Sequence, residues 1–170
     1  MNEQILADIA DRLSSRFYGK YRGTVTEIDS NNVGRLKAKV PAVLGEQATG
    51  WCMPCVPFAG PNVGFLFLPE VGSGVWIEFE GGDVSYPIWT GCYWRSGEAP
   101  SEASAGVKVI KTKAEHKIVL DDDQQTITIT DPNRNTITLD SSGIVLTRGA
   151  MKIEITDMSV SINDSAFEVM

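Results

Sequence analysis

From Ile118 to the C-terminus, aliphatic residues two positions apart recur at intervals of about ten residues, with polar residues on both sides. Ile118 and Leu120 are followed by Ile127 and Ile129, then Ile137 and Leu139, then Ile144 and Leu146. After these come Met151, Ile153 and Ile155, then Met158, Val160 and Ile162, and last Phe167 and Val169. Period two predicts short strands with one apolar face, because successive side chains on a strand point to opposite sides. Asp121-Asp122-Asp123, Asp131-Pro132-Asn133-Arg134, Ser141-Ser142-Gly143 and Arg148-Gly149 supply the turns, and Thr and Ser fill most outward positions.

Such a ribbon has a problem. Each strand offers two or three apolar side chains on one side, and nothing in the ribbon covers them. Copies assembled around an axis solve it, three of them closing a prism with a dry Ile/Leu/Val interior. A small monomeric β-sandwich of paired hairpins solves it as well. Periodicity alone leaves both open.

The rest of the chain has a different texture. Ile5, Leu6, Ile9 and Leu13 stand at helical spacing, which predicts a short amphipathic helix over residues 1–16 whose stripe needs a docking surface. Residues 17–95 read as strands punctuated by glycine and proline: 21–28, 35–40 with Leu36, Ala38 and Val40 on one face, 51–56, 64–68, 75–79 and 86–93. Five or six short strands without a substantial helix predict a small closed barrel, which leaves no exposed edges. Residues 96–106, rich in Ser, Ala, Gly, Glu and Pro, read as a linker, and 107–170 as the strand ladder.

Composition narrows the function. The chain has 170 residues and a formal net charge of −7. That balance opposes a nucleic-acid partner, since phosphate neutralisation drives such affinity. No run approaches the roughly 20 apolar residues that span a bilayer. Met1-Asn2-Glu3-Gln4 lacks the positive region of a secretion signal, so assembly in a host cytoplasm is expected. Three cysteines without such a signal read as reduced thiols.

The middle region then becomes specific. Three blocks occur in order: Gly23-Thr24-Val25-Thr26-Glu27-Ile28-Asp29 with Gly34-Arg35-Leu36-Lys37-Ala38-Lys39-Val40-Pro41; Trp51 with Pro57-Phe58-Ala59-Gly60 and Gly64; and residues 69–83, Pro69-Glu70-Val71-Gly72-Ser73-Gly74-Val75-Trp76-Ile77-Glu78-Phe79-Glu80-Gly81-Gly82-Asp83, with Tyr86-Pro87-Ile88-Trp89-Thr90-Gly91. Together with the ladder after them, they resemble the phage baseplate assembly protein V and VgrG-type central spikes of contractile injection systems. The resemblance implies an all-β chain with a short N-terminal helix, an OB-fold barrel and a C-terminal intertwined triple-stranded β-helix, in a homotrimer. It implies a structural, non-enzymatic spike of a virion tail baseplate or tail-like particle, which punctures the target cell envelope. It also implies a hub protein at the base and a PAAR-type tip protein at the needle end.

On that reading Ile118, Leu120, Ile127, Ile129, Ile137, Leu139, Ile153, Ile155, Val160 and Ile162 form the trimer core. Ile5, Leu6, Ile9 and Leu13 meet the hub. Residues 165–170, with Phe167, Val169 and Met170, form an apolar plateau for the tip protein. Two features depart from relatives: residues 95–106 are too few to hold a lysozyme domain, and the lone His116 provides no His-x-His iron site at an apex. A surface-binding fibre with a glycan-binding barrel is the alternative function, and an OB protein of nucleic acid a weaker one.

Other candidate chemistry reduces to structure. Cys52 and Cys55 point to opposite faces if the segment is a strand, and Cys92 and His116 are too far apart to supply a second close pair, so no zinc site is expected. Asp121-Asp122-Asp123 lacks the spaced ligands and glycine of a calcium loop and reads as a solvated turn. Glu70, Glu78, Glu80 and Asp83 have no nucleophile or cofactor loop beside them. Trp76, Trp89, Tyr93 and Trp94 lack interleaved cations and read as barrel core and subunit contacts. No cofactor is expected.

Overall fold

Alternation in the first half of the chain drives one set of side chains inward. In a computed structural model of the chain, which describes residues 4–7, 9–10, 15–164 and 166–170, Val25, Leu36, Ala38, Val40, Cys52, Val75, Ile77, Phe79 and Trp89 form a single buried cluster. The chain divides into two compact units, Met1–Glu98 and Ala99–Met170.

The first unit is a closed barrel. Its strands are β1 (Tyr21–Ile28), β2 (Leu36–Lys39), β3 (Met53–Pro54), β6 (Gly74–Phe79) and β7 (Pro87–Tyr93), in the sheet order β2-β1-β6-β7-β3. Cys52, next to β3, bridges Leu36 of β2 and so joins the two ends of the sheet. Register shifts at Val25/Glu27 and Trp76/Ile77 add the local bend that closure needs. At Gly74 only hydrogen fits, because a Cβ there would meet the Tyr93 ring and carbonyl at 2.8 Å. A short helix α1 (Pro41–Leu44) and a 3-10 turn (Glu80–Gly82) complete the connections.

Two strand expectations are corrected. The third strand reaches only Met53–Pro54, since neither Pro54 nor Pro57 has an N–H to give the ladder. The expected strand 64–68 is instead the end of a small hairpin, β4 (Ala59–Gly60) and β5 (Val63–Gly64), after which Phe65, Leu66 and Phe67 lie exposed.

The β1–β2 turn is held by charge. Asp29, 6% exposed, accepts hydrogen bonds from the backbone of Asn31 and Asn32 and from the Arg35 guanidinium. Burial pushes its carboxyl upward, but the Arg35 bond and the two N–H groups win and hold it at about 2, below the ordinary 3.8. A depressed folded pKa stabilises the fold above about pH 4, and that contribution fades as pH falls toward 2. The stability gap between wild type and Asp29→Asn is therefore expected to be full at neutral pH and to shrink across that window. Urea titrations at stepped pH measure it; a gap constant down to pH 2 contradicts the assignment.

The second unit is an eight-stranded antiparallel meander. Its strands run in chain order: β8 (Val107–Lys111), β9 (Lys117–Asp121), β10 (Thr126–Thr130), β11 (Thr136–Asp140), β12 (Gly143–Arg148), β13 (Met151–Ile155), β14 (Val160–Ile162) and β15 (Phe167–Val169). The alternation from Ile118 onward marks seven of these strands; β8 precedes them. Met158 sits in the β13–β14 turn rather than in a strand, with Thr156 N–H donating to the Ser159 carbonyl.

Short polar side chains fold back to satisfy the turns. Asp121 accepts from Gln124 N–H, Asp131 from Asn133 and Asn135 N–H, Asp140 from Ser142 and Gly143 N–H, and Thr156 from Met158 and Ser159 N–H. The Ser142 hydroxyl and these amides hold the Asp140 carboxyl below its usual range. Gly143 has φ +144°, and a Cβ there would collide with the Ile155 carbonyl. Each turn thus fixes the register of the next strand.

Candidate functional site

Register converts the ladder into two continuous rows. Following the paired residues across the sheet, one row runs Ile110, Ile118, Ile129, Ile137, Leu146, Ile153, Ile162, Phe167. The second runs Lys108, Leu120, Ile127, Leu139, Ile144, Ile155, Val160, Val169. Both rows lie on the same face. Thr128, Thr138, Glu154 and Ser161 pair on the other.

This face has no cover within the unit. Ile118, Ile127, Ile129, Ile137, Ile153 and Ile155 are 36–41% exposed, and all large buried side chains of the described residues belong to the barrel. Apolar surface on this scale is unfavourable in water, at roughly 25 cal/mol per Å². A concavity of about 400 Å³ follows the first row past Ile110, Ile118, Ile129 and Ile137, and a second of about 310 Å³ continues past Leu146 and Ile153. His116, Lys117 and Asp131 rim the first and Arg148 and Lys152 the second, but the surface of both is mostly aliphatic, which suits packing rather than chemistry.

All ten residues expected in a core fall on these rows. Ile110 joins them through β8, and Phe167 and Val169 extend them, paired with Ile162 and Val160. Met170 follows, 98% exposed. Residue 165 of the expected plateau lies outside the described residues. Lys108 interrupts the second row at its first strand and pairs with Asp122.

The segment before β8 is tied down. Glu102 bonds Lys117 at 3.1 Å and Lys111 at 3.4 Å, both on the polar face. Its own backbone N–H, then Lys117 and Lys111, hold its carboxyl at about 2.

In the barrel unit the other candidates are separated or neutralised. Cys52 is buried against Thr49 Oγ1 at 3.2 Å, while Cys55 and Cys92 are exposed. Burial pushes the Cys52 thiol up. Glu78 pairs with Lys20, and Asp83 with Arg16 at 3.0 Å. Among the described residues no three His, Cys, Asp or Glu side chains cluster as a metal site. Trp76 and Tyr93 pack as a tilted pair at 5.1 Å under Arg22, Trp89 lies in the core, and Trp94 is exposed. Ile5, Leu6 and Ile9 are exposed; Leu13 lies outside the described residues.

Comparison with known families places both units. Residues 21–94 match the type VI secretion system/phage-baseplate injector OB domain, and residues 107–168 match the phage baseplate V C-terminal trimerisation domain. No curated protein matches the chain.

Proposed function

The chain belongs to the phage baseplate V and VgrG-type spike family, with an injector OB domain and a trimerisation domain, and from that premise we propose that it forms the membrane-puncturing needle of a contractile phage tail or tail-like injection particle. Its role is that of a baseplate spike, and both matched families are structural domains. The observation that carries the finer reading is the pair of uncovered apolar rows, one eight strands long and the other seven, which three copies close into a dry prism. Main-chain ladders across each sheet and an interlocked aliphatic interior suit a part that transmits load without catalysis. In this reading a hub protein meets the N-terminal stripe Ile5, Leu6 and Ile9. A PAAR-type tip protein covers the last strand with Phe167, Val169 and Met170. The particle assembles in the host cytoplasm and meets the target envelope on contraction.

Native mass measurement tests the premise of three copies. The 18.5 kDa chain is expected at about 55 kDa. A compact, well-folded single copy at micromolar concentration overturns the needle.

A further inference from the structure

The barrel unit has an apolar surface that its own fold does not use. Residues 47–69 hold no charged side chain, in a chain of net charge −7. Within this stretch Phe58, Val63, Phe65 and Phe67 are each 52–57% exposed, and Leu66 is 44% exposed. The Phe65 and Phe67 rings pack together at 4.8 Å, so the aromatic surface is contiguous. Phe65 N–H donates to the Phe58 carbonyl at 2.9 Å, extending the β4–β5 hairpin by one rung. Leu66 reaches the barrel beside Gly34 and Pro54.

A hairpin with two residues per strand is marginal by itself and holds its shape by packing against something. Aromatic enrichment with charge depletion is the composition of a buried interface core, and of permanent rather than transient contacts. We propose that this hairpin is a second self-contact: the 58–67 segments of the three copies meet one another, so that barrels as well as ladders are joined. The occupant is another copy of this chain for two reasons. The trimerisation domain begins at residue 107 and the injector OB domain ends at 94, so a dozen residues hold each barrel close to two others, and tethering of that length gives millimolar effective concentrations. The first unit has eight Lys and Arg against eleven Asp and Glu, and residues 47–69 are its longest stretch without a charged side chain, so like-charged barrels meet there with the least repulsion. The proposal rests on the three-copy reading of the ladder.

Photo-cross-linking of the purified full-length protein tests it, using Phe65→p-benzoylphenylalanine with native mass measured on the same sample. The expected result is a three-copy mass together with a cross-link from position 65 into residues 56–68 of a different copy. Hydroxyl-radical labelling of the unmodified protein gives an independent measurement. After correction for intrinsic reactivity, Phe65 and Phe67 are expected to label at least about fivefold less than exposed Tyr86. A three-copy mass with no cross-link between copies, or with Phe65 and Phe67 labelled as strongly as Tyr86, overturns the hairpin contact and leaves the ladder intact. A single-copy mass overturns both, and the two failures are thereby told apart.

Discussion

Ile137→Asp is expected to abolish the three-copy species, leaving monomer or aggregate, while the chain still folds its barrel. Ile137 lies mid-row, paired with Ile129 on one side and Leu146 on the other, and is 37% exposed in the single chain. In a closed prism that remaining surface is dry, and the Arg148 guanidinium that lines the same groove is already bonded to Asn135 at 3.2 Å. An unpaired buried charge costs about 3–5 kcal/mol, and the mutation places one in every copy. Three such penalties amount to about 10 kcal/mol, roughly seven decades of association constant. Thr138→Asp is the matched control. It changes the adjacent residue of the same strand, which pairs with Thr128 and Val145 on the opposite face. Native mass is expected to report three copies for Thr138→Asp and none for Ile137→Asp. An intact trimer of Ile137→Asp contradicts the inward placement of the row.

What could be read beforehand follows from how local the signal is. Strands β9 to β15 announce themselves because a half-buried strand between tight turns needs only period two and a turn residue, both of which are local. Strand β8 was harder to see. Its Val107 and Val109 share a face with Lys111, while Lys108 stands where the second row wants an aliphatic residue. Phe65-Leu66-Phe67-Leu68 shows the opposite error. An unbroken apolar run reads as a buried strand, yet these residues find no sheet partner in the barrel; Phe65 and Phe67 present their rings outward, and Leu68 packs against the core. Barrel closure was legible only in kind. The bridges from Leu36 to Cys52 and from Lys39 to Ala48 that join the sheet ends are long-range contacts with no local pattern. The two rows, by contrast, are a local pattern repeated. Asp or Thr side chains cap five of the seven turns, and seven registers in succession align Ile110 with Phe167.

Trp89→Ala is expected to cost the barrel most of its stability while leaving the ladder assembled. Trp89 on β7 is 4% exposed and sits in the same cluster as Leu36, Val75 and Ile77. Its indole N–H donates to the Gly34 carbonyl at 2.8 Å, tying β7 to the β1–β2 connection across 55 residues. Truncation leaves a cavity worth about 3–5 kcal/mol and strips the Gly34 carbonyl of a partner, which adds about 1–3 kcal/mol. A domain with 5–15 kcal/mol in total has little left after that loss. Trp89→Phe keeps most of the ring and loses the donor, so its expected cost is smaller and separates packing from the hydrogen bond. Hydrogen exchange resolved by peptide is the measurement. Peptides covering β1, β6 and β7 are expected to lose protection in Trp89→Ala, while those covering β10 to β12 keep it and the mass stays at three copies. Ile137→Asp should show the reverse, because every residue of the barrel cluster lies between 25 and 89 and every residue of the rows lies beyond 107. If Trp89→Ala dissociates the trimer as completely as Ile137→Asp does, the apolar rows are not what holds the copies together.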